Sequence, residues 1–525
     1  MIRRHLATAL FAALFAAGAA QAGTQAAPAA SATQAATNPP SGVWYEIFVR
    51  AFADSNGDGI GDLDGITAHL DYLQSLGVSG IWLMPIQPSP SYHGYDITNY
   101  EAVNPQYGSM ADFQRLVAAA HQRHIKVILD LVANHTSSQH PWFIAAQNDA
   151  SPYHAWYNWA TPRTNLRAIS AAGGPAWHKD ADGQYYLGVF TAEMPDLNYD
   201  NPAVRQAMID VGRFWLAKGV DGFRLDAAQH IYFDLKSEKN DPAILAKNIA
   251  WWSAFRQGID GVNPHAYLVG EVTRDSPDQL APYFKPLDAA FDFPLAKQLI
   301  ASARTERAGK LPALLERTQA DYFQVTGKYG VDAPFLSNHD QERVMSQLDG
   351  NAAHMRVAAA MLLTLPGQPY VYYGEELGTR GMKPDPDLRE PMRWHRDDHG
   401  PGETHWKPFS AYDDDPAVSV DAETADPHSL LNLYRTLIGW RRQIAPLRDG
   451  KLTAQRLGQP SLAAWELTDA DGAVLVVHNL SGHALKLRLP QAVSRFASIE
   501  RQTGAGATLA DGRLALPAYD SVILR

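Results

Sequence analysis

The stretch GFRLDAAQH, Gly222 to His230, decides the fold. With Val220 just before it and Phe223 inside it, it reads as the end of a buried strand, yet it carries Arg224 and stops on Asp226. Side chains two apart on a strand point the same way, so the two share a face and the guanidinium can hold the carboxylate ionised. An oriented, ionised aspartate is a nucleophile. A buried salt bridge between strand tips is the competing reading of the same residues.

The surrounding chain repeats the pattern. WYEIFVR from Trp44, VSGIWLM from Val78, KVILDLV from Lys126, DGFRLD from Asp221, AYLVGE from Ala266, AAFDF from Ala289, PFLSNHD from Pro334 and PYVYYG from Pro369 read as eight short apolar strands. Between them lie segments of helical period such as ADFQRLVAAAHQRH and AVRQAMIDVGRFWLAKG. Eightfold strand-helix alternation with near-continuous apolar strands predicts a closed parallel (β/α)8 TIM barrel of the α/β class, since both faces of each strand are covered. A doubly wound open sheet is the alternative. Asp130, Asp226, Glu271 and Asp340 fall at the C-terminal ends of these runs, where barrel enzymes place their chemistry.

Residues 41–134 and 195–447 are assigned to the barrel. The intervening 135–194, rich in Trp, Tyr, Gly and Pro, reads as an inserted domain after the third strand. From 448 to 525 the period changes to strict alternation in LAAWELT, AVLVVHNLS, ALKLRLP and SVILR, which predicts a C-terminal antiparallel β-sandwich.

Composition narrows the function. The 525 residues are 46% apolar and 19% charged, enough for a large packed core. Forty-five basic against 56 acidic residues give a net charge of -11, which argues against nucleic acid and against a membrane surface as partner. The absence of cysteine excludes disulfides and thiolate catalysis. At the N-terminus, MIRRHLATALFAALFAAGAAQA has a basic start, an apolar run short of the roughly 20 residues a spanning helix needs, and small residues ending at Ala22. It reads as a signal peptide, 1–22, followed by a flexible linker, 23–40, and predicts export to the periplasm or the medium.

At the next strand tip after Asp226 stands Glu271, and two carboxyls about 5 Å apart across a substrate suit double-displacement glycoside hydrolysis. FLSNHD adds His339 and Asp340, and DLVANH adds Asn134 and His135. So many charged tips are hard to explain as packing, because buried charge needs partners.

In these motifs the chain resembles the α-amylase family, glycoside hydrolase family 13. DLVANH (130–135), MPDLN (194–198), GFRLDAAQH (222–230), GEVT (270–273) and FLSNHD (335–340) stand in the family's order. The resemblance implies Asp226 as nucleophile, Glu271 as general acid/base, and Asp340 as a third carboxylate gripping sugar hydroxyls. It implies that His135, Arg224 and His339 bind the sugar before the cleaved bond and that Tyr95 of HGYDITNY stacks on it. Asp96 and Arg389 are expected to pair as in exo-acting relatives. Trp142, Trp156, Trp159 and Trp177 are candidates for further sugar subsites or for the core of the insertion. MPDLN places the chain in a branch between oligo-1,6-glucosidases and neopullulanases.

DSNGDGIGD, 54 to 62, sets Asp54, Asn56, Asp58 and Asp62 at alternate positions around Gly59, with the Ile60 carbonyl as a further oxygen. Alternating hard ligands of this kind suit a structural Ca²⁺. A second calcium site of the family would rest partly on Asn134, and Gln229 stands where many α-amylases carry Lys. The expected activity is hydrolysis of α-1,4 bonds in starch or maltodextrin by a monomeric α-amylase. An α-glucosidase or glucosyltransferase is the alternative, and a catalytically silent sugar-binding relative a more distant one.

Overall fold

The computed structural model describes residues 42–396, 400–410 and 415–525, so the expected leader and linker lie outside the described residues. The strands run in chain order β1 (Trp44–Ile47), β2 (Gly80–Leu83), β3 (Lys126–Leu131), the pair β4 (Trp177–Lys179) and β5 (Tyr185–Leu187), then β6 (Gly222–Leu225), β7 (Tyr267–Gly270), β8 (Ala289–Ala290) and β9 (Tyr370–Tyr372). All but β4 and β5 form one sheet in the order β8-β7-β6-β3-β2-β1-β9, with every pairing parallel. Helices such as Met110–Gln122 and Pro202–Ala217 connect them. Each begins on a side-chain cap, Ser109 in a reciprocal box with Asp112 for the first and Asn201 ahead of Pro202 for the second.

One expected strand takes another form. PFLSNHD closes the sheet without becoming a regular strand: Ala333 bridges Phe291 in parallel on one side, and Tyr370 N donates to Pro334 O at 2.9 Å on the other. Pro334 has no N–H to give, so a full ladder cannot form through it. The barrel therefore has seven regular strands and one irregular stave.

Period-two alternation sorts the strand side chains. Trp44, Trp82, Ile128, Tyr267, Val269, Phe291, Phe335 and Tyr370 fill the barrel interior, while Tyr45, Ile81, Leu129 and Phe223 pack outward beneath the helices. The Trp44 indole fits because its neighbour is Gly80, where a Cβ would fall 2.3 Å from the ring. The same alternation turns Glu46, Asp130 and Arg224 inward above this apolar floor, and all three are buried.

The insertion folds around its aromatics. Trp142 meets Trp156 at 4.8 Å, and Phe143 stacks on Trp159 at 6.0 Å. The bridges His135 to Asp196 and Tyr157 to Leu197 tie it to the barrel. Beyond the barrel come β10 (Lys451–Ala454), β11 (Leu462–Asp469), β12 (Gly472–Asn479), β13 (Leu485–Arg488), β14 (Ile499–Gln502), β15 (Thr508–Ala510), β16 (Arg513–Leu516) and β17 (Ser521–Leu524). They make a five-stranded and a three-stranded antiparallel sheet over a core that includes Leu462, Leu475, Leu514 and Val522. Among the described residues, no helix is long and apolar enough to cross a membrane.

Candidate active site

The barrel mouth holds a cleft of about 1030 Å³, open solvent included, lined by Asp226, Glu271 and Asp340 from the strand ends. Tyr95, His93, Asp385 and Arg389 form one wall, and His135, Phe190, Thr191 and Met194 form another. The three acids predicted from motifs on separate strands thus meet in one cavity.

Their arrangement rests on Arg224. Its side chain is fully buried, with the guanidinium 4.8 Å from the centre of the Trp82 ring. Nη1 donates to Asp130 at 2.9 Å and to Asp226 at 2.5 Å, and Nη2 donates to Glu271 at 2.8 Å. One guanidinium cannot hold two carboxyls far apart, so Asp226 and Glu271 are neighbours, as a double-displacement pair must be. Glu271 Oε2 also accepts from Ala227 N at 2.9 Å, a contact that Ala227 makes from a left-handed backbone conformation (φ 45°). Here the structure corrects an expectation: Arg224, carried over as a sugar ligand, does not line the cleft and serves the acids instead.

Three carboxylates facing one buried cation are over-supplied with negative charge. Burial, together with the neighbouring Glu271 and Asp130, pushes Asp226 well above the usual carboxylate range against the pull of Arg224.

Asp340 has the opposite environment. Its side chain is 48% exposed, and it sits between Arg389 Nη2 at 2.8 Å and His339 Nε2 at 3.2 Å. Although burial opposes it, the His339 and Arg389 charges hold Asp340 far below its ordinary value. His339 is pushed up to about 10, since Asp340 and Glu46 outweigh its desolvation. It was expected to touch sugar, but its side chain is fully buried behind Asp340 and Tyr95. His135 stays at the cleft wall, where burial lowers it to about 4 and leaves it neutral, its Nε2 donating to Tyr95 O at 3.1 Å.

The Asp96–Arg389 pair does not form. Asp96 is buried and accepts from Ser89 Oγ at 2.5 Å and Ser91 Oγ at 2.8 Å, short-range partners that turn it from the cleft. Arg389 spends its donors on Asp340, on the His339 carbonyl and on Asp385. None of Trp142, Trp156, Trp159 and Trp177 lines the cleft either; Met194, which opens MPDLN, does, and so does Phe190, which nothing in its spacing marked out. Asp385 was missed for the same reason, and Glu46 although it is the one acid in WYEIFVR. Asn134 donates to Asp196 at 3.0 Å, tying the insertion down, and Gln229 lines the cleft beside His230.

In the loop 54–62, Asp54 accepts from the N–H groups of Asn56, Gly57 and Gly59, Asn56 from Asp58, and Asp58 from Ile60. Asp62 accepts from Ser55 and Gly65. The donor set is all oxygen, as a hard cation requires. Among the described residues, no group of three or more histidine, aspartate or glutamate side chains is already drawn together as the ligands of a metal ion.

A parallel barrel with paired carboxyls on one guanidinium and a third acid opposite defines a glycoside-processing enzyme. The sequence profile of "Alpha amylase, catalytic domain" matches residues 46–450, and that of "Alpha-amylase SusG C-terminal domain" matches 462–523. The chain belongs to the α-amylase family, glycoside hydrolase family 13. It is 41% identical over 440 residues to Alpha-amylase 3 of Dictyoglomus thermophilum, covering 84% of each chain. It is 32% identical to the probable oligo-1,6-glucosidase 2 of Bacillus subtilis, over 86% of this chain and 91% of that one. Among solved structures, the α-amylase from H. orenii superposes with a TM-score of 0.84 at 42% identity, covering 92% of this chain and 99% of the other.

Proposed function

We propose that this glycoside hydrolase cleaves α-1,4-glucosidic bonds of starch and maltodextrins as an α-amylase, by double displacement with retention of configuration. The observation that carries the reading is the grip of Arg224 on Asp226 and Glu271 together. Glu271, as general acid, gives a proton to the leaving glycosidic oxygen, while an Asp226 oxygen attacks the anomeric carbon and forms the glycosyl-enzyme ester. Glu271, now ionised, then takes a proton from water, whose oxygen displaces Asp226 and restores both acids. Asp340, kept ionised by its two cations, accepts hydrogen bonds from sugar hydroxyls. Tyr95, in the cleft wall, presents its ring to the apolar face of that sugar.

Hydrolysis of maltoheptaose, followed by chromatography and by NMR of the first-formed anomer, tests this. Mixed short oligomers of α configuration are expected. Glucose alone would point to an α-glucosidase, longer products to transfer, and β anomers would refute double displacement.

We also propose that Asp54, Asn56, Asp58, Asp62 and the Ile60 carbonyl hold a structural Ca²⁺. The alternate oxygens on a loop turned by Gly57 and Gly59, both left-handed, support it. The ion would neutralise the loop's acids, with no part in bond cleavage.

A further inference from the structure

We infer that Glu46, at the inner face of β1, is a positioning residue that fixes His339 as an imidazolium and thereby holds Asp340 and Tyr95 in their working states. The inference rests on the reading of the cleft as a glycosidase site and adds to it a residue outside the cleft. His339 Nδ1 lies 2.6 Å from Glu46 Oε1, an acceptor with no proton to give when ionised, so Nδ1 must carry hydrogen. Nε2 lies 2.7 Å from the Tyr95 hydroxyl and 3.2 Å from Asp340. The Tyr95 hydroxyl hydrogen is engaged by Asp130 at 3.0 Å, which leaves the tyrosine oxygen facing His339 as an acceptor. Acceptors thus confront both nitrogens, and only the doubly protonated ring satisfies them.

Other groups around the ring bear on this charge. Asp130 and Asp340 favour it, while the positive charge of Arg389, which donates through Nε to the His339 carbonyl at 3.0 Å, and that of Arg224, bonded to Asp130 at 2.9 Å, work against it. Trp82 closes one side at 5.6 Å, and Tyr95 stacks on the ring at 5.4 Å. Tyr370 and Tyr372 lie near Glu46 and are neutral, burial raising both well above their ordinary range. Against two arginines, Glu46 supplies the balancing negative charge on the side away from substrate. A hydrogen-bonded chain follows, Glu46 to His339 to Tyr95 to Asp130 to Arg224, and ends on Asp226 and Glu271. Its protons are placed by the carboxylate at its head.

Glu46→Gln keeps the shape and can still accept from Nδ1, but without the charge. A neutral ring bonded in that way turns an Nε2 lone pair on the Tyr95 oxygen and on Asp340. The ring's pKa should therefore fall into the ordinary histidine range, and kcat/KM on maltoheptaose should drop about tenfold for each pH unit above it. In the wild type the alkaline limb should be the general acid's alone, with no further limb from His339 below pH 9, so the variant's limb should be the steeper of the two. A readout independent of activity is ¹⁵N-histidine NMR at pH 8, with His339→Gln to identify the resonance: imidazolium in the wild type and in Glu46→Asp, neutral in Glu46→Gln. A constant loss of activity at all pH values in both Glu46 variants would overturn the inference. So would a His339 imidazolium in Glu46→Gln, or a neutral ring in the wild type or, should Glu46→Gln fold poorly, in Glu46→Asp. If the wild type cleaves no α-glucan but the NMR pattern holds, the substrate reading fails and the role of Glu46 stands.

Discussion

Arg224→Lys isolates the contribution of the guanidinium fork, because it keeps the buried charge and removes the geometry. Arg224 reaches oxygens of Asp130, Asp226 and Glu271 from two nitrogens, at 2.9, 2.5 and 2.8 Å. A lysine ammonium directs its three donors from one point, so it cannot stay on Asp130 and span the other two acids. At least one charge-assisted bond is lost, worth about 1.5–3 kcal/mol. At about 1.36 kcal/mol per pKa unit, the carboxylate left out should rise by roughly one to two units. Asp226 must be ionised to attack, so the acidic limb of kcat/KM should move up by the same one to two units, with partial recovery of rate toward alkaline pH. The assay is a kcat/KM profile from pH 4 to 9 on a chromogenic maltoside, with a melting curve at each pH to separate inactivation from unfolding. An Arg224→Lys enzyme with the wild-type acidic limb and wild-type rates would refute the view that this fork sets the protonation of the pair.

Three further outcomes are expected. Asp226→Asn should lose turnover while melting at or above the wild-type temperature, since it removes one of three carboxylates crowded on one cation; scanning calorimetry alongside the assay checks both halves. Adding Ca²⁺ to chelated protein should raise the melting temperature, by about 2.7 kcal/mol of stabilisation at a hundredfold excess over Kd, and Asp58→Asn should abolish the shift. His339 gains protonation in the fold, from an ordinary value near 6.5 up to about 10. Its contribution to stability is therefore full below about pH 6.5 and is lost as pH rises toward 10, so urea midpoints should fall over that window in the wild type more than in His339→Gln.

How much of this site the sequence discloses depends on the reach of each contact. Asp226, Glu271 and Asp340 are legible because a strand of period two carries its last inward residue to the barrel mouth whatever surrounds it. The closing stave is half legible: FLSNHD has the apolar pattern, but Pro334 removes the donor that would make it a regular strand. The aromatic residues of the insertion are illegible, since Trp142 packed against Trp156 and Trp142 stacked on a sugar would have the same composition. Asp96 shows the limit of borrowed pairings. Two serines five and seven residues before it reach its carboxylate at no cost in loop closure, and they win over an arginine 293 positions away. Glu46 lies as far from His339 in sequence, yet there the long-range contact wins, because an acid turned into an apolar barrel has no local hydroxyl to accept from and must find its partner on another stave. A lone acid in an otherwise apolar barrel strand is thus a sign that a nearby stave carries its partner, and for WYEIFVR that partner is His339, on the stave just beyond β9.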